Sequence, residues 1–226
     1  MPRANRYLAE GYSYHVLNRG NGKQKIFHKD QDFATFVQIM KEAKEHFPID
    51  IFAYCLMPNH FHMVLMPKQP DHLSMWMHWL MSTHANRYRQ HYKTTGHLWQ
   101  GRFKSFIIQN DKHLLTALRY VEGNAVRGSL VFSAKDWLWS SLQERLSGKK
   151  ERIINHLPVE LPSDWIRFVD EPLTERDLEK IRQSVIRQTP FGNHEWQERI
   201  SKYLNIESTL RPRGRPRKES GKKSEE

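Results

Sequence analysis

The chain has 226 residues, of which 38% are hydrophobic and 27% are charged, so it can bury a core of its own. Its single cysteine, Cys55, excludes an internal disulfide and a cysteine-rich zinc site, and indicates a reducing compartment. No apolar run approaches the roughly 20 residues of a membrane-spanning helix, and the N-terminus lacks a signal-peptide pattern. These features predict a cytoplasmic protein.

The positive charge of the chain is unevenly distributed. Residues 1–134 carry 17 basic and 9 acidic side chains, net +8, whereas residues 135–210 carry 12 and 13, net −1. Residues 211–226 carry 7 and 3, net +4. A polyanion is the expected partner, because phosphates neutralised by Lys or Arg release counterions. A basic protein without a specific ligand is the alternative.

The first predicted element is a short strand over residues 14–19, followed by a Gly-rich turn at 19–22. A helix is then expected with Asp30 as its N-cap, because apolar residues recur at helical spacing after it. Pro48 lies just beyond the end of this helix. The chain therefore opens as strand, turn and amphipathic helix.

The next elements complete a recognisable order. Two apolar runs, 49–56 and 61–66, flank a Pro-Asn turn and predict an antiparallel hairpin. A helix over 73–92, a strand over 102–109 and a helix over 111–123 follow. The order β-α-β-β-α-β is that of the ferredoxin-like split βαβ arrangement. We therefore predict an α+β fold with an antiparallel sheet and helices on one face.

The composition divides the chain into three parts. Residues 1–147 form the main predicted domain. Residues 148–206 are expected to be a helical extension with amphipathic helices near 174–188 and 194–204. Residues 207–226 form a basic tail, whose Pro, Gly, Arg, Lys and Ser composition predicts disorder when it is free.

Two histidines on the second strand of the hairpin are the first candidate site. Residues i and i+2 of a strand face the same way, so His60 and His62 are expected to point together, away from Phe61. Two adjacent imidazoles supply half of a metal site, although they do not select the ion. The alternative is that they are hydrogen-bonded or exposed histidines, in a chain that contains 13.

A tyrosine and a carboxamide on the helix 111–123 and just after it are the second candidate site. Leu114, Leu118 and Val121 form the predicted buried stripe, and Tyr120 lies away from its middle. Asn124 follows one turn later on the same flank. The functional interpretation is a phenol that attacks phosphorus beside an amide that helps to hold a cation. The alternative is a boundary tyrosine whose hydroxyl lies in water.

The two sites together resemble a known family. His60-Phe61-His62 resembles the His-hydrophobic-His motif of single-strand DNA transposases and rolling-circle nucleases, and residues 120–127 resemble the tyrosine-bearing helix of one-tyrosine transposases. In the order and spacing of its motifs, the chain is similar to the REP-associated tyrosine transposases, where REP denotes a repetitive extragenic palindrome. The supporting segments are 14–21, 98–105, 137–141, 190–196 and 210–218.

The resemblance implies an enzyme that cuts and rejoins single-stranded DNA. Tyr120 would attack the scissile phosphate, giving a 5′-phosphotyrosine linkage and a free 3′-hydroxyl without any nucleotide cofactor. His60 and His62 would hold one divalent cation, Mg²⁺ or Mn²⁺. Asn124 stands where relatives often carry Gln as a third ligand, and is therefore a shorter carboxamide at that position.

The resemblance also implies the partner, which is hairpin DNA of a REP flanked by a short single-stranded segment. Phosphates, stem shape and unpaired bases would be contacted by basic and aromatic side chains. The candidates are Arg19, Trp99, Arg102, Lys104, Arg119 and Arg127. The alternative for each is an exposed charge or a core aromatic without a role in binding. We expect no membrane partner, a bacterial cytoplasmic, nucleoid-associated location, and a monomer rather than a dimer.

The basic tail carries a separate motif. Pro-Arg-Gly-Arg-Pro at 212–216 resembles the core of an AT-hook, in which Arg213 and Arg215 would enter the minor groove of A·T-rich duplex. The alternative is a solvated basic tail that adds only salt-sensitive affinity.

Two other functions remain open. A domesticated, non-catalytic binder of palindromic DNA or RNA would use the same surface with Tyr120 in a structural role. A metal-dependent hydrolase that uses water is a weaker alternative, because no carboxylate-rich segment accompanies His60 and His62 in the sequence.

Overall fold

The computed structural model describes residues 8–148 and 151–211. Within these ranges, four strands form one antiparallel sheet in the order β2-β3-β1-β4. The strands are β1 (Ser13–Arg19), β2 (Ile49–Met57), β3 (His60–Pro67) and β4 (Lys104–Ile108). The helices are α1 (Asp30–His46), α2 (His72–Tyr92), α3 (Lys112–Glu122), α4 (Asn124–Arg127), α5 (Ser141–Leu146), α6 (Trp165–Asp170), α7 (Glu175–Arg187) and α8 (His194–Tyr203).

The topology is the predicted split βαβ arrangement. Helix α1 connects β1 to β2, the hairpin leads into β3, and α2 connects β3 to β4. Strand β1 pairs with both β3 and β4, which places it inside the sheet although it comes first in the chain. The α+β class is therefore confirmed. In the described part of the chain, no helix combines the length and the apolar character needed to cross a membrane.

Helices cover both faces of the sheet. Helices α1 and α2 pack on the face that carries Phe61 and Met63, in agreement with the prediction of helices on one face. Helix α3 packs on the opposite face with Val64 and Phe106, so the prediction of helices on one face holds for α1 and α2 but not for α3. The physical reason is that β2 is buried at every position, so both of its faces require a cover.

The start of α1 differs from the prediction in its cap. Asp30 is the first helical residue and not the N-cap. The carboxylate that caps the helix belongs to Asp32, whose Oδ2 accepts from the backbone N–H of His28 at 2.7 Å and of Lys29 at 3.2 Å. An acidic residue in the first turn satisfies free amides and complements the positive end of the helix dipole.

The predicted helical extension packs against both sides of the sheet unit. Trp165 and Ile181, from α6 and α7, join the apolar cluster around α3. Trp196 and Ile200, from α8, join the cluster around α1 and α2. Phe191 forms an isolated parallel bridge with Ile108 at the end of β4. The extension therefore contributes to the main core as well as to its own packing.

A buried carboxylate links α3 to two later helices. The side chain of Glu122 is fully buried and accepts from Ser141 Oγ at 2.5 Å, Arg145 Nε at 2.8 Å and Trp165 Nε1 at 2.6 Å. Buried charges are tolerated when they are paired and hydrogen-bonded, and this carboxylate has both kinds of partner. The contacts fix the end of α3 against α5 and α6.

Replacing Glu122 by alanine is expected to lower the free energy of unfolding by about 3–5 kcal/mol, because Arg145 would lose its buried partner. Urea denaturation followed by circular dichroism measures the change. The matched control is Glu171→Ala, which removes an exposed i,i+4 pair with Arg167 and should cost under about 1 kcal/mol. Equal losses in the two variants would contradict the structural role of Glu122.

A second buried polar group lies in the aromatic core. His84, on α2, is 4% exposed and packs against the rings of Phe27, Phe36 and Trp99. Burial lowers the pKa of His84 from its ordinary value of 6.5 to about 3, partly offset by the charge of Asp32. The imidazole is therefore neutral in the folded protein, whereas the unfolded chain takes up a proton near pH 6.5.

Because the unfolded state binds this proton first, His84 should destabilise the fold as the pH falls from 6.5 toward 3. Its contribution is about 1.4 kcal/mol per pH unit in that window. We expect His84→Phe to reduce the pH dependence of the free energy of unfolding by about that slope. The control is the same substitution at the exposed His194, and a slope unchanged in His84→Phe would refute the assignment.

Candidate active site

The two histidines of β3 lie together on the face of the sheet that α3 covers. The ring centroids of His60 and His62 are 5.2 Å apart, and Phe61 between them packs into the opposite core. Strand alternation therefore brings the two imidazoles side by side, as the sequence predicted. His62 is buried, and His60 is half-buried at the end of the strand.

Helix α3 places Tyr120 over this pair. The centroid of the Tyr120 ring is 5.8 Å from that of His62, in an edge-on arrangement. Tyr120 is 9% exposed, and its hydroxyl has no hydrogen-bond partner among the described residues. The ring of Tyr120 is thus held edge-on against His62, and its hydroxyl is not engaged by another described residue. The fold thus brings Tyr120 to the histidine pair. The role of Tyr120 as nucleophile stays a prediction.

A third histidine, His15 of β1, belongs to the same cluster and was not among the predicted site residues. Its ring stacks on that of His62 with centroids 5.0 Å apart and lies 5.9 Å from that of Tyr120. His15 Nε2 is 2.9 Å from His62 Nδ1. In the sequence, His15 stands out only as a polar residue between Tyr14 and Val16 in a predicted strand. Its contact with His62 follows from the pairing of β1 with β3, which the local sequence does not display.

Burial keeps all three imidazoles neutral. It lowers the pKa of His60 to about 4 and of His15 to about 3, and it lowers the pKa of His62 well below 6.5. His60 Nδ1 lies 2.6 Å from Asn59 Oδ1, so a proton on Nδ1 leaves the lone pair on Nε2. When His62 donates from Nδ1 to His15, its own Nε2 keeps a lone pair as well.

The donor atoms fit part of the shell of the divalent cation that the family resemblance implies. His60 and His62 each retain one free ring nitrogen. Asn124 is buried, its Oδ1 accepts from Arg127 Nη2 at 3.2 Å, and its Nδ2 has no partner within the described residues. No group of three or more His, Cys, Asp or Glu in those ranges is arranged to hold a metal ion. His60 and His62 therefore offer two nitrogen donors, and a cation held there would need further ligands from outside this pair.

Arg127 packs directly on the tyrosine. Its guanidinium lies 4.2 Å from the centroid of the Tyr120 ring and donates to the Tyr120 backbone carbonyl. Burial lowers the pKa of Arg127 from its usual value, although the group remains a cation at neutral pH. We call Tyr120 and the three histidines beside it, His15, His60 and His62, the tyrosine cluster. The predicted DNA contact at Arg127 thus packs against this cluster and fixes the ring of Tyr120.

Arg19 and Lys104 lie at the edge of the cluster. Arg19 is opposite His60 in the β1–β3 register, and Lys104 is opposite Leu17, which also faces His62. Residues directly opposite in an antiparallel pair share a face, so both basic side chains are on the face of Tyr120. Both are exposed, and the charge of Arg19 adds to burial in lowering the pKa of His60.

The structure places the other predicted DNA contacts differently. Arg119 donates to the Glu171 carbonyl at 2.7 Å and lies over the Phe168 ring, so it anchors α6 to α3. Trp99 is 7% exposed and donates to the Met81 carbonyl, which leaves little of its ring for a base and assigns it to packing. Arg102 is exposed and lines a cavity with residues of α2, among them His78 and Asn86. Arg213 and Arg215 lie outside the described residues.

Comparisons with known proteins match the region of the chain that carries this site. The family model described as "Transposase IS200 like" matches residues 9–124, which include β1, His60, His62 and Tyr120. A protein of Haemophilus influenzae that carries the name of a REP-associated tyrosine transposase is 31% identical, over 47% of this chain and 66% of its own length. The chain therefore spans slightly less than two thirds of that relative.

The fold has a solved counterpart. A structure described as a REP-associated tyrosine transposase bound to a REP hairpin superposes with a TM-score of 0.55 and 18% identity, over 77% of this chain and 100% of the other. The resemblance to REP-associated tyrosine transposases is thus confirmed. Because the family model covers half of the sequence and includes the histidine pair and the tyrosine helix, this chain belongs to the family of IS200-like transposases.

Proposed function

We propose that this protein cleaves and rejoins single-stranded DNA at REP hairpins through a 5′-phosphotyrosine intermediate. The observation that carries the proposal is the position of Tyr120, whose ring lies against His62, the imidazole next to His60. The REP-associated relative and the hairpin-bound structural neighbour support the choice of substrate. Transposition and recombination of DNA are the reactions that such cleavage and rejoining serve.

The covalent step can be written from this chain's residues. The Tyr120 oxygen attacks the scissile phosphorus and loses its proton, while the bond from phosphorus to the 3′ oxygen breaks and that oxygen becomes a hydroxyl. One phosphodiester replaces another, so the reverse attack rejoins strands without a nucleotide cofactor. Arg127, over the ring, holds the phenol in place and favours the negative charge that develops on its oxygen.

His60 and His62 would hold one divalent cation, Mg²⁺ or Mn²⁺, with Asn124 as the candidate third ligand. When bound, the cation supplies Lewis acidity that polarises the phosphate and offsets charge in the transition state. Imidazole is softer than the ligands that Mg²⁺ prefers, which favours Mn²⁺ in an assay. The hydrogen bonds from His60 to Asn59 and from His62 to His15 would fix the two rings as ligands for such an ion.

The DNA would approach the end of the sheet where β1 finishes at Arg19 and β4 begins at Lys104. Their exposed charges, on the face of Tyr120, suit the phosphates that flank the scissile bond. Arg102, which is exposed beside α2, would add a further phosphate contact. Arg213 and Arg215 would add minor-groove contacts to neighbouring duplex.

A monomer is the favoured active form, with a dimer possible. The support is that Tyr120 and both histidines meet within one chain, so that the proposed nucleophile needs no partner to reach the proposed metal ligands.

A gel assay tests the proposal. The protein is mixed with a labelled hairpin oligonucleotide with single-stranded flanks, with Mn²⁺ or EDTA, and analysed under denaturing conditions. A metal-dependent adduct that survives denaturation is the expected result. A shift on a native gel with no adduct across several flanks and both metals would favour the non-catalytic binder of palindromic nucleic acid.

A further inference from the structure

Three aromatic rings form an exposed cluster where α1 begins and α2 ends. The ring centroids of Tyr88 and Tyr92 are 4.7 Å apart, and that of His28 is 4.8 Å from Tyr92. His28 is exposed and both tyrosines are half-buried, so the rings are accessible from solvent. We call these three residues the aromatic platform. None of them belongs to the tyrosine cluster described above.

Hydrogen bonds fix the platform in place. His28 Nε2 lies 2.8 Å from the Tyr88 hydroxyl, and the Tyr92 hydroxyl donates to Asp32 Oδ2 at 2.6 Å. Asp32 is itself held by the backbone amides that it caps at the start of α1. The rings therefore lose little conformational freedom when a planar ligand stacks on them.

The surroundings of the platform are basic. Lys29 Nζ lies 6.0 Å from the centroid of the Tyr92 ring, and Arg87 lines the same cavity of about 410 Å³. The nearby negative charge of Asp32 is engaged by the cap and by Tyr92. Residues 72–110, which include all of α2, contain no Asp or Glu. Aromatic faces beside cations are the chemistry that binds single-stranded nucleic acid.

The platform lies at the same end of the sheet as the proposed active site. The backbone N–H groups of Ile26 and Phe27, just before His28, donate to the Pro58 carbonyl at 2.8 and 3.1 Å. Pro58 is two residues before His60. Because α1 and α2 cover the face opposite Tyr120, a DNA strand would reach the platform from the site by passing around this end of the sheet.

We propose that His28, Tyr88 and Tyr92 stack with unpaired bases of the DNA strand that flanks the hairpin. This inference rests on the proposed function, since it assigns a second contact to the same substrate. Stacking on aromatic rings tolerates any base, so the platform would hold the flank in place without selecting its sequence.

The test compares Tyr88→Leu with Tyr88→Phe in the full chain, in EDTA so that no cleavage is needed. Fluorescence anisotropy measures the affinity for a hairpin with a flank of roughly ten dT nucleotides, and for the same hairpin without it. Tyr88→Leu should weaken binding of the flanked hairpin about tenfold and leave the blunt hairpin unchanged. Tyr88→Phe, which keeps the ring and loses the bond to His28, should stay within about twofold.

A second readout does not depend on a substitution. 2-Aminopurine placed along the flank should be quenched at the stacked position by the unmodified protein, and Tyr88→Leu should relieve that quenching. Equal losses for flanked and blunt hairpins, or no quenching at any position, would overturn the inference. A change in sedimentation without a change in DNA affinity would assign the rings to self-association instead. If the binding and quenching results are as expected but no covalent adduct forms, the proposed cleavage reaction fails and the stacking of DNA bases on the platform still stands.

Discussion

Substituting Tyr120 with phenylalanine is expected to abolish the covalent protein–DNA adduct, with a loss of more than about 1000-fold in cleavage. The ring and its contacts with His62 and Arg127 would remain, and only the oxygen that attacks phosphorus would be removed. Because no described residue hydrogen-bonds to this hydroxyl, the free energy of unfolding should change by less than about 0.5 kcal/mol. Denaturing gels and urea denaturation measure the two quantities.

The matched control is Tyr203→Phe, which removes an exposed hydroxyl on α8. It should cleave at the unmodified rate. Hairpin binding on native gels should be retained by both variants, since the substitution at Tyr120 changes no charge. A Tyr120→Phe protein that still forms the adduct would refute the assignment of the nucleophile.

Replacing His60 by alanine is expected to reduce metal-dependent cleavage by at least about 100-fold while leaving hairpin binding nearly unchanged. His60 is half-buried at the end of β3, so truncation removes a candidate ligand without opening a large cavity. Residual activity should require a higher Mn²⁺ concentration, because one ring nitrogen of the pair is lost. A titration of cleavage against Mn²⁺ separates this effect from a loss of DNA affinity.

His194→Ala, on the exposed surface of α8, is the control for removal of an imidazole. It should shift neither the rate nor the Mn²⁺ dependence. Unchanged Mn²⁺ dependence in His60→Ala would mean that this histidine does not hold the ion.

Local sequence patterns predict much of the fold and the centre of the site. The alternation around Phe61 predicts that His60 and His62 share a face, because the period of a strand is fixed by its backbone. The stripe of α3 similarly predicts that Leu114 and Leu118 are buried. These features depend on neighbours a few residues apart, which the sequence displays directly.

Contacts between distant segments were not predictable in the same way. His15 joins the site because β1 lies between β3 and β4, and the strand alone does not say which residues will be opposite it. A charged residue such as Glu122 is expected at the surface from the sequence. It is buried because Arg145 and Trp165, from later helices, hydrogen-bond to its carboxylate. Trp99, predicted as a base contact, is buried because its ring packs against Phe36, Phe61 and His84 in the core beneath α1 and α2.

The contacts at the end of α3 also bear on where this protein can be divided. The region shared with the family model ends at Asn124, and the composition placed a boundary after residue 147. Yet Glu122 is completed by Trp165, and Arg119 is anchored by Glu171, both beyond that boundary. A fragment trimmed to either limit would lose groups that seat the tyrosine helix. A piece that folds independently and presents Tyr120 correctly is thus expected to be longer than the stretch that the family model matches.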